Sequence, residues 1–168
     1  ILGGCATHWP ETALLNPQVI PSNQQYYSGN RITMEGVDKR EAAYVFSIKK
    51  KEKAPVLVNS SQPLNNLLAE KLAEGLRSQG LEVGNSGTTN LTLAISTAAV
   101  TVEEKTFTYV TKSKVSLQVI ADFQGNKLTK QFNMSSSKEE PGEPTMADLE
   151  STLNQQLGSV LQQLMADE

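Results

Sequence analysis

A thiol, an imidazole, a serine among glycines and two pairs of adjacent carboxylates are the side chains here whose types could do chemistry. The thiol, Cys5, is the only cysteine in 168 residues and stands between Gly4 and Ala6, ahead of any folded element. It is therefore not a small core hydrophobe but a group open to covalent modification. His8 is the only histidine, which leaves no histidine-based metal site and gives Ser86, in "EVGNSGTTN", no imidazole base. A lysine base for a serine stays open. Glu103 and Glu104, like Glu139 and Glu140, have the types of an acid–base pair, yet neighbours on a strand point to opposite faces, so solvated turns suit them better. With no serine elbow and no phosphate loop, the expectation is a chain that is not an enzyme and uses no metal or cofactor.

The bulk properties agree. A hydrophobic fraction of 38% together with 11 glycines supports a packed core without disulfide or metal. The 15 basic and 18 acidic residues are mixed and sum to -3, so no basic field gathers nucleic acid. No apolar run reaches the length of a membrane-spanning helix.

Leu2, Gly3, Gly4 and Cys5 resemble the lipobox of bacterial lipoproteins, in which a leucine and two small residues let a signal peptidase cut before the cysteine, whose thiol then carries lipid. On that resemblance residues 1–4 are a signal-peptide remnant and Cys5 is the lipidated residue. Residues 5–16 then form a tether, broken by Pro10 and followed by Pro17. Each buried methylene contributes about 0.8 kcal/mol, one chain holds only marginally, and the three of a bacterial lipoprotein hold firmly. Ala6, where inner-membrane retention uses aspartate, implies the outer membrane. A tether of this length spans about 20 Å, which keeps the domain near the bilayer. Trp9 either rests among headgroups or is exposed in the arm.

The remaining chain must position any binding surface. Alternation predicts strands over 31–37 and 42–48, with Asp38 and Arg40 as a local contact between them. "KKKEK", 49–53, reads as a solvated hairpin tip, with a membrane or polyanion role as the other reading. Leu64, Leu67, Leu68, Leu72 and Leu76 form one helical stripe between Pro63 and Gly80. An antiparallel meander follows: "NLTLAIS", "VSLQVIADF" and a strand over 127–135, with a turn at Gly125 and Asn126. Residues 138–144 read as a loop. Thr145 and Asp148 then open a last helix, with Met146, Leu149, Leu153, Leu157, Val160, Leu161 and Leu164 on its apolar stripe. The fold class expected over 17–168 is a single α+β domain: a mixed, mainly antiparallel sheet with two amphipathic helices packed on one face. Its wet face, including Thr92, Ser116, Gln118 and Thr129, is the expected partner surface, and the exposed edge strand competes with it.

The lipobox, "VDKR", "GLRSQGLEVG", "NLTLAI" and above all "FQGNKLTKQF" resemble the YajG family of bacterial lipoproteins, from Cys5 to about residue 137. The resemblance implies an outer-membrane lipoprotein with a periplasmic α+β domain. It supplies no catalytic residues. The function expected is a membrane-tethered binding or assembly module of the cell envelope, with an envelope protein or peptidoglycan as partner. The alternatives are a periplasmic hydrolase and a small-ligand-binding protein.

Overall fold

A computed structural model describes residues 9–166. Leu2, Gly3, Gly4, Cys5 and His8 lie outside the described residues. In chain order the elements are β1 (Thr12–Ala13), β2 (Arg31–Asp38), β3 (Tyr44–Lys49), β4 (Val56–Ser60), α1 (Leu64–Ser78), β5 (Glu82–Val83), β6 (Thr89–Glu104), β7 (Tyr109–Phe123), β8 (Asn126–Glu140) and α2 (Met146–Ala166).

Alternation of apolar side chains sets the long strands, and one extra residue decides how they are used. In β6 the apolar positions run Leu91, Leu93, Ile95 and then Ala98, Val100, Val102. A strict period of two would turn the second set to the opposite face. Ser96 prevents this: pairing with β7 steps from Ile95↔Leu117 to Thr97↔Ser116, a bulge that brings both sets to the core side.

The bulge coincides with a handover on the other edge of β6. β2 pairs along 89–95, and β3 takes up the same edge at 100–103, both parallel to β6. The two strands lie end to end, and residues 39–43 bow out between them. Asp38 holds this interruption by accepting hydrogen bonds from the Arg40 amide at 3.1 Å, its Nε at 2.9 Å and its Nη2 at 2.8 Å, while Lys39 N–H bonds Ile95 O at 2.9 Å. The Arg40 side chain is only 9% exposed. Asp38 and Arg40 are thus the local contact expected of them.

The Arg40 side chain is the main reason that the Asp38 carboxyl titrates below its ordinary value of 3.8. A carboxyl lowered in the fold stabilises it fully above the unfolded value and loses that contribution as pH falls through the folded one. Asp38→Asn is expected to cost about 1–2 kcal/mol at neutral pH. The gap in urea midpoint between the two proteins should narrow well below pH 3.8, whereas an unchanged gap would mean that the charge contributes nothing.

The sheet is mixed as expected, but its expected mainly antiparallel character is corrected. Of the seven strand pairings among the described residues, four are parallel, although the two longest ladders, β6–β7 and β7–β8, are antiparallel. α1 accounts for three of the four, because it carries the chain back across the sheet so that β5 and β6 run with β2 and β3, whereas β1 and β4 both precede it.

The tether expected over 5–16 also ends sooner. Thr12–Ala13 pairs with β4, Ala13 and Leu15 are buried, and Trp9 packs against the core. Residues 16–20 then run along α2, where Asn16 N–H donates to Asn154 Oδ1 at 2.9 Å and Ile20 N–H to Gln162 Oε1 at 3.0 Å. Residues 138–140, expected in a loop, are the last rungs of β8. The β7–β8 turn is Gln124–Gly125, with φ of 52° and 84°, and Asn126 already belongs to β8.

Both helices use the expected stripes. All five α1 leucines are buried. α1 ends in a Schellman pair, with Gly80 N–H on Arg77 O at 3.0 Å and Leu81 N–H on Leu76 O at 3.1 Å, and both leucines enter the core. α2 opens with a reciprocal box: Thr145 N–H donates to Asp148 Oδ2 at 2.8 Å, and Asp148 N–H to Thr145 Oγ1 at 3.2 Å. α1 packs against β2, β5 and β6, α2 against β6, β7 and β8, and the helices touch each other.

Candidate interaction surface

Cross-strand register assigns the polar residues of the meander to rows. Glu35, Thr92, Ile120 and Thr129 share one row, and Val37, Ala94, Gln118 and Gln131 the next. Past the bulge, Thr97, Ser116 and Asn133 form a third. Residues directly opposite one another, and those two apart on a strand, lie on the same face. The register therefore brings Thr92, Ser116, Gln118 and Thr129 together on one side of the sheet.

Their accessibility differs. Thr129 is exposed, and Thr92 and Gln118 are half-buried. Ser116 is only 5% exposed, and its hydroxyl donates to Asn133 Oδ1 at 2.6 Å and accepts from Gln131 Nε2 at 3.0 Å. Ser116 is thus a strut beneath the surface and not a contact residue, because it is buried and its O–H and one of its two lone pairs are engaged within the sheet. Sequence reasoning missed the charges that share this face. Lys112, Lys114 and Lys127 are exposed on the same face, at alternate positions of β7 and at the start of β8. The signal was present in the strand alternation, which assigns these lysines the phase of Ser116 and Gln118.

The paired carboxylates and the 49–53 tip make local structural contacts. Glu103 pairs with Lys105 at 2.8 Å, while Glu104 accepts the Lys51 amide at 2.9 Å, so these neighbours serve separate turns. Glu139 accepts from Thr108 Oγ1 at 2.6 Å, and Glu140 pairs with Lys138 at 2.7 Å. Within 49–53, Lys50 meets Glu143 at 2.8 Å, and that carboxylate raises the amine above its ordinary value. This hairpin tip thus braces the entry to α2. Ser86 is exposed, and the glycine after it serves packing: a Cβ on Gly87 would come within 2.8 Å of the Ile32 backbone. No cluster of metal-ligating side chains occurs among the described residues, and no helix is long and apolar enough to cross a membrane.

On the helix side, a cavity of about 360 Å³ opens between the ends of β6, β7 and β8 and the helix pair, with Leu76, Leu81, Leu91, Val119, Leu128 and Phe132 among its walls. It is lined mainly by apolar side chains, as small-molecule sites usually are.

Comparison with known proteins places these surfaces in a family. A family described as uncharacterized lipoprotein matches residues 17–168. No curated protein matches the chain. Among solved structures, a protein from Xanthomonas campestris is similar with a TM-score of 0.63 at 10% identity, over 92% of each chain. An uncharacterized protein gives 0.52 at 17% identity, over 85% of this chain and 94% of that one. A minor lipoprotein from Acinetobacter baumannii gives 0.41 at 15% identity, over 85% and 90%. At such identities the likeness to the first two is one of fold alone.

Proposed function

The chain belongs to the uncharacterized lipoprotein family, and from that premise we propose that it is a lipid-anchored binding module of the cell envelope, similar in kind to the YajG lipoproteins. Cys5 carries the lipid, Leu2, Gly3 and Gly4 direct its attachment, and Ala6 directs the product to the outer membrane, facing the periplasm. The module is not an enzyme. It docks an envelope protein on the outer face of β6–β8.

One observation carries this reading: that face presents exposed Lys112, Lys114, Lys127 and Thr129 around a hydrogen-bonded bed of Ser116, Gln131 and Asn133. Sheet register supports a bare outer face. Gly36, which meets α1 through Asn65, and Ser136, which accepts from Gln156 of α2 at 3.0 Å, fall in the same phase, opposite to those lysines. This supports the reading that both helices cover one side. A fixed, pre-ordered polar surface loses little side-chain freedom on binding, which favours recognition, and lysines at its rim act chiefly on the rate and selectivity of encounter.

Crosslinking in living cells tests the reading, using the full-length protein beside Cys5→Ser and Lys112→Glu/Lys114→Glu variants. The expected result is that Cys5→Ser leaves the membrane fraction and loses a defined partner. The double charge reversal stays on the membrane and recovers the partner about tenfold less well. Unchanged recovery with the charge reversal would remove the outer face from the proposal, and a Cys5→Ser protein still in the membrane would remove the anchor.

The apolar cavity favours a second reading, a small apolar ligand held between the helices and the sheet. Native mass spectrometry of the protein purified from its own envelope, with Leu91→Trp to fill the space, distinguishes it. A bound mass lost on filling supports the second reading, and no bound mass rejects it.

A further inference from the structure

Among the described residues, one edge of the sheet carries no further strand. β8 pairs with β7 over 15 residues without a register shift, and no second strand pairs with it among the described residues. At roughly 3.4 Å per residue this edge is about 50 Å long. The strands at the ends of the main sheet path, β1 and β5, have two residues each. Proteins blunt a free edge with a short strand, a proline, a bulge or charged side chains, and of these β8 has only the charges, Lys127, Lys130, Lys138, Glu139 and Glu140.

Its charges are sorted along the strand. Lys127 lies near the start and Glu139 near the end, both exposed and both in the outer-face phase. Antiparallel pairing reverses the order of one strand against the other. A second copy of β8, turned about a two-fold axis through Asn133, therefore sets Lys127 opposite Glu139 twice. The same register puts Gln131 opposite Ser135 on the outer face and Phe132 opposite Met134 on the helix side. Leu128, 59% exposed, falls opposite the aliphatic stem of Lys138, which can cover it. Parallel pairing of two copies would instead set Lys127 against Lys127, and like charges directly opposite are unfavourable. The Thr108 hydroxyl on Glu139 leaves that carboxylate lone pairs for a lysine.

We propose that β8 is the interface of a homodimer in which two copies join their sheets edge to edge, antiparallel and centred on Asn133. Such a contact is isologous and closed, so it ends at two subunits. A two-fold axis can pass through either kind of antiparallel residue pair, so the ladder closes whichever way the Asn133 amide faces. The axis is normal to the sheet, and the outer faces of both copies merge into one polar platform with all four helices behind it. The interface does not depend on the partner-docking reading, and its test uses purified protein alone.

The experiment takes the Cys5→Ser protein, free of lipid and of its native thiol. Sedimentation velocity is expected to give a dimer that dissociates on dilution. Lys127→Glu should weaken it about tenfold, Glu139→Lys likewise, and the two together should restore it. Asn133→Cys should form a disulfide with its own copy under mild oxidation, because opposed Cα atoms at about 4.5–5.5 Å fit the bond. Gln131→Cys and Ser135→Cys should each form no disulfide with its own copy on oxidation and should crosslink when mixed. Circular dichroism of each variant keeps loss of fold separate from loss of pairing. A wild-type chain that remains monomeric up to its solubility limit would overturn the interface. So would oxidation of Gln131→Cys to a dimer by itself, or a double charge swap that fails to restore association.

Discussion

Gly36→Ala is expected to lower the free energy of unfolding by about 3 kcal/mol, at the upper end of the usual cost of overpacking. The reason is what a methyl group would meet. A Cβ on Gly36 would stand 2.3 Å from the Asn65 carbonyl oxygen and 2.9 Å from its carbon, at the start of α1. Backbone in a helix cannot swing aside as a side chain can, so α1 must lift from β2. That movement also lengthens the bond from Asn65 Nδ2 to Gly36 O, now 3.0 Å, and loosens the contact of buried Leu64 and Leu68. Gly142→Ala is the matched control, since nothing lies within 4 Å of the added group. It should change stability by no more than about 0.5 kcal/mol. Urea unfolding of the three proteins at one pH checks both, and a Gly36→Ala midpoint equal to the control would mean that the helix is free to shift.

The same contact shows why part of the fold is legible in the sequence and part is not. Periodicity within one element was sufficient for α1, α2, β2 and part of each meander strand, 90–96 of β6, 115–123 of β7 and 127–135 of β8, because each buries a stripe that its own residues declare. Even the Schellman pair and the capping box follow from Gly80 and from Thr145 with Asp148. What escaped depends on partners. β1 is two residues long and exists because β4 offers it an edge. The end of β8, "SSSKEE", has no alternation and is strand because β7 begins opposite it at Tyr109. The end-to-end arrangement of β2 and β3 rests on Ser96, a residue that shows no hydrophobic signal and matters by being one too many. The expected partner surface was legible to the same degree. Alternation put Thr92, Ser116, Gln118 and Thr129 on one face, but only the cross-strand bonds from Ser116 to Asn133 and Gln131 reveal that Ser116 lies beneath it.

Phe46→Ala is expected to cost about 4 kcal/mol, within the range for removing a buried phenylalanine ring. Phe46 is fully buried, pairs with Val100 of β6 on one side and Val58 of β4 on the other, and is the largest side chain of the core without exposure. Its loss leaves a cavity where β3 takes over the β6 edge from β2, a junction that cannot collapse freely because the bulge at Ser96 and the Asp38–Arg40 contact hold both neighbours. Thermal or urea unfolding should show the loss with an unchanged denaturant slope. Combined with Gly36→Ala, it also tests whether the two halves of the sheet fold together. Gly36 lies opposite Leu93 and Phe46 opposite Val100, about 23 Å apart along β6 at a strand's rise, and effects at that separation usually add within about 0.5 kcal/mol. β6 runs past both sites in one piece, so a single unfolding transition with additive losses is expected. Two separate transitions in the double variant would mean that the β2 and β3 halves are held together by that strand too weakly to share one fold.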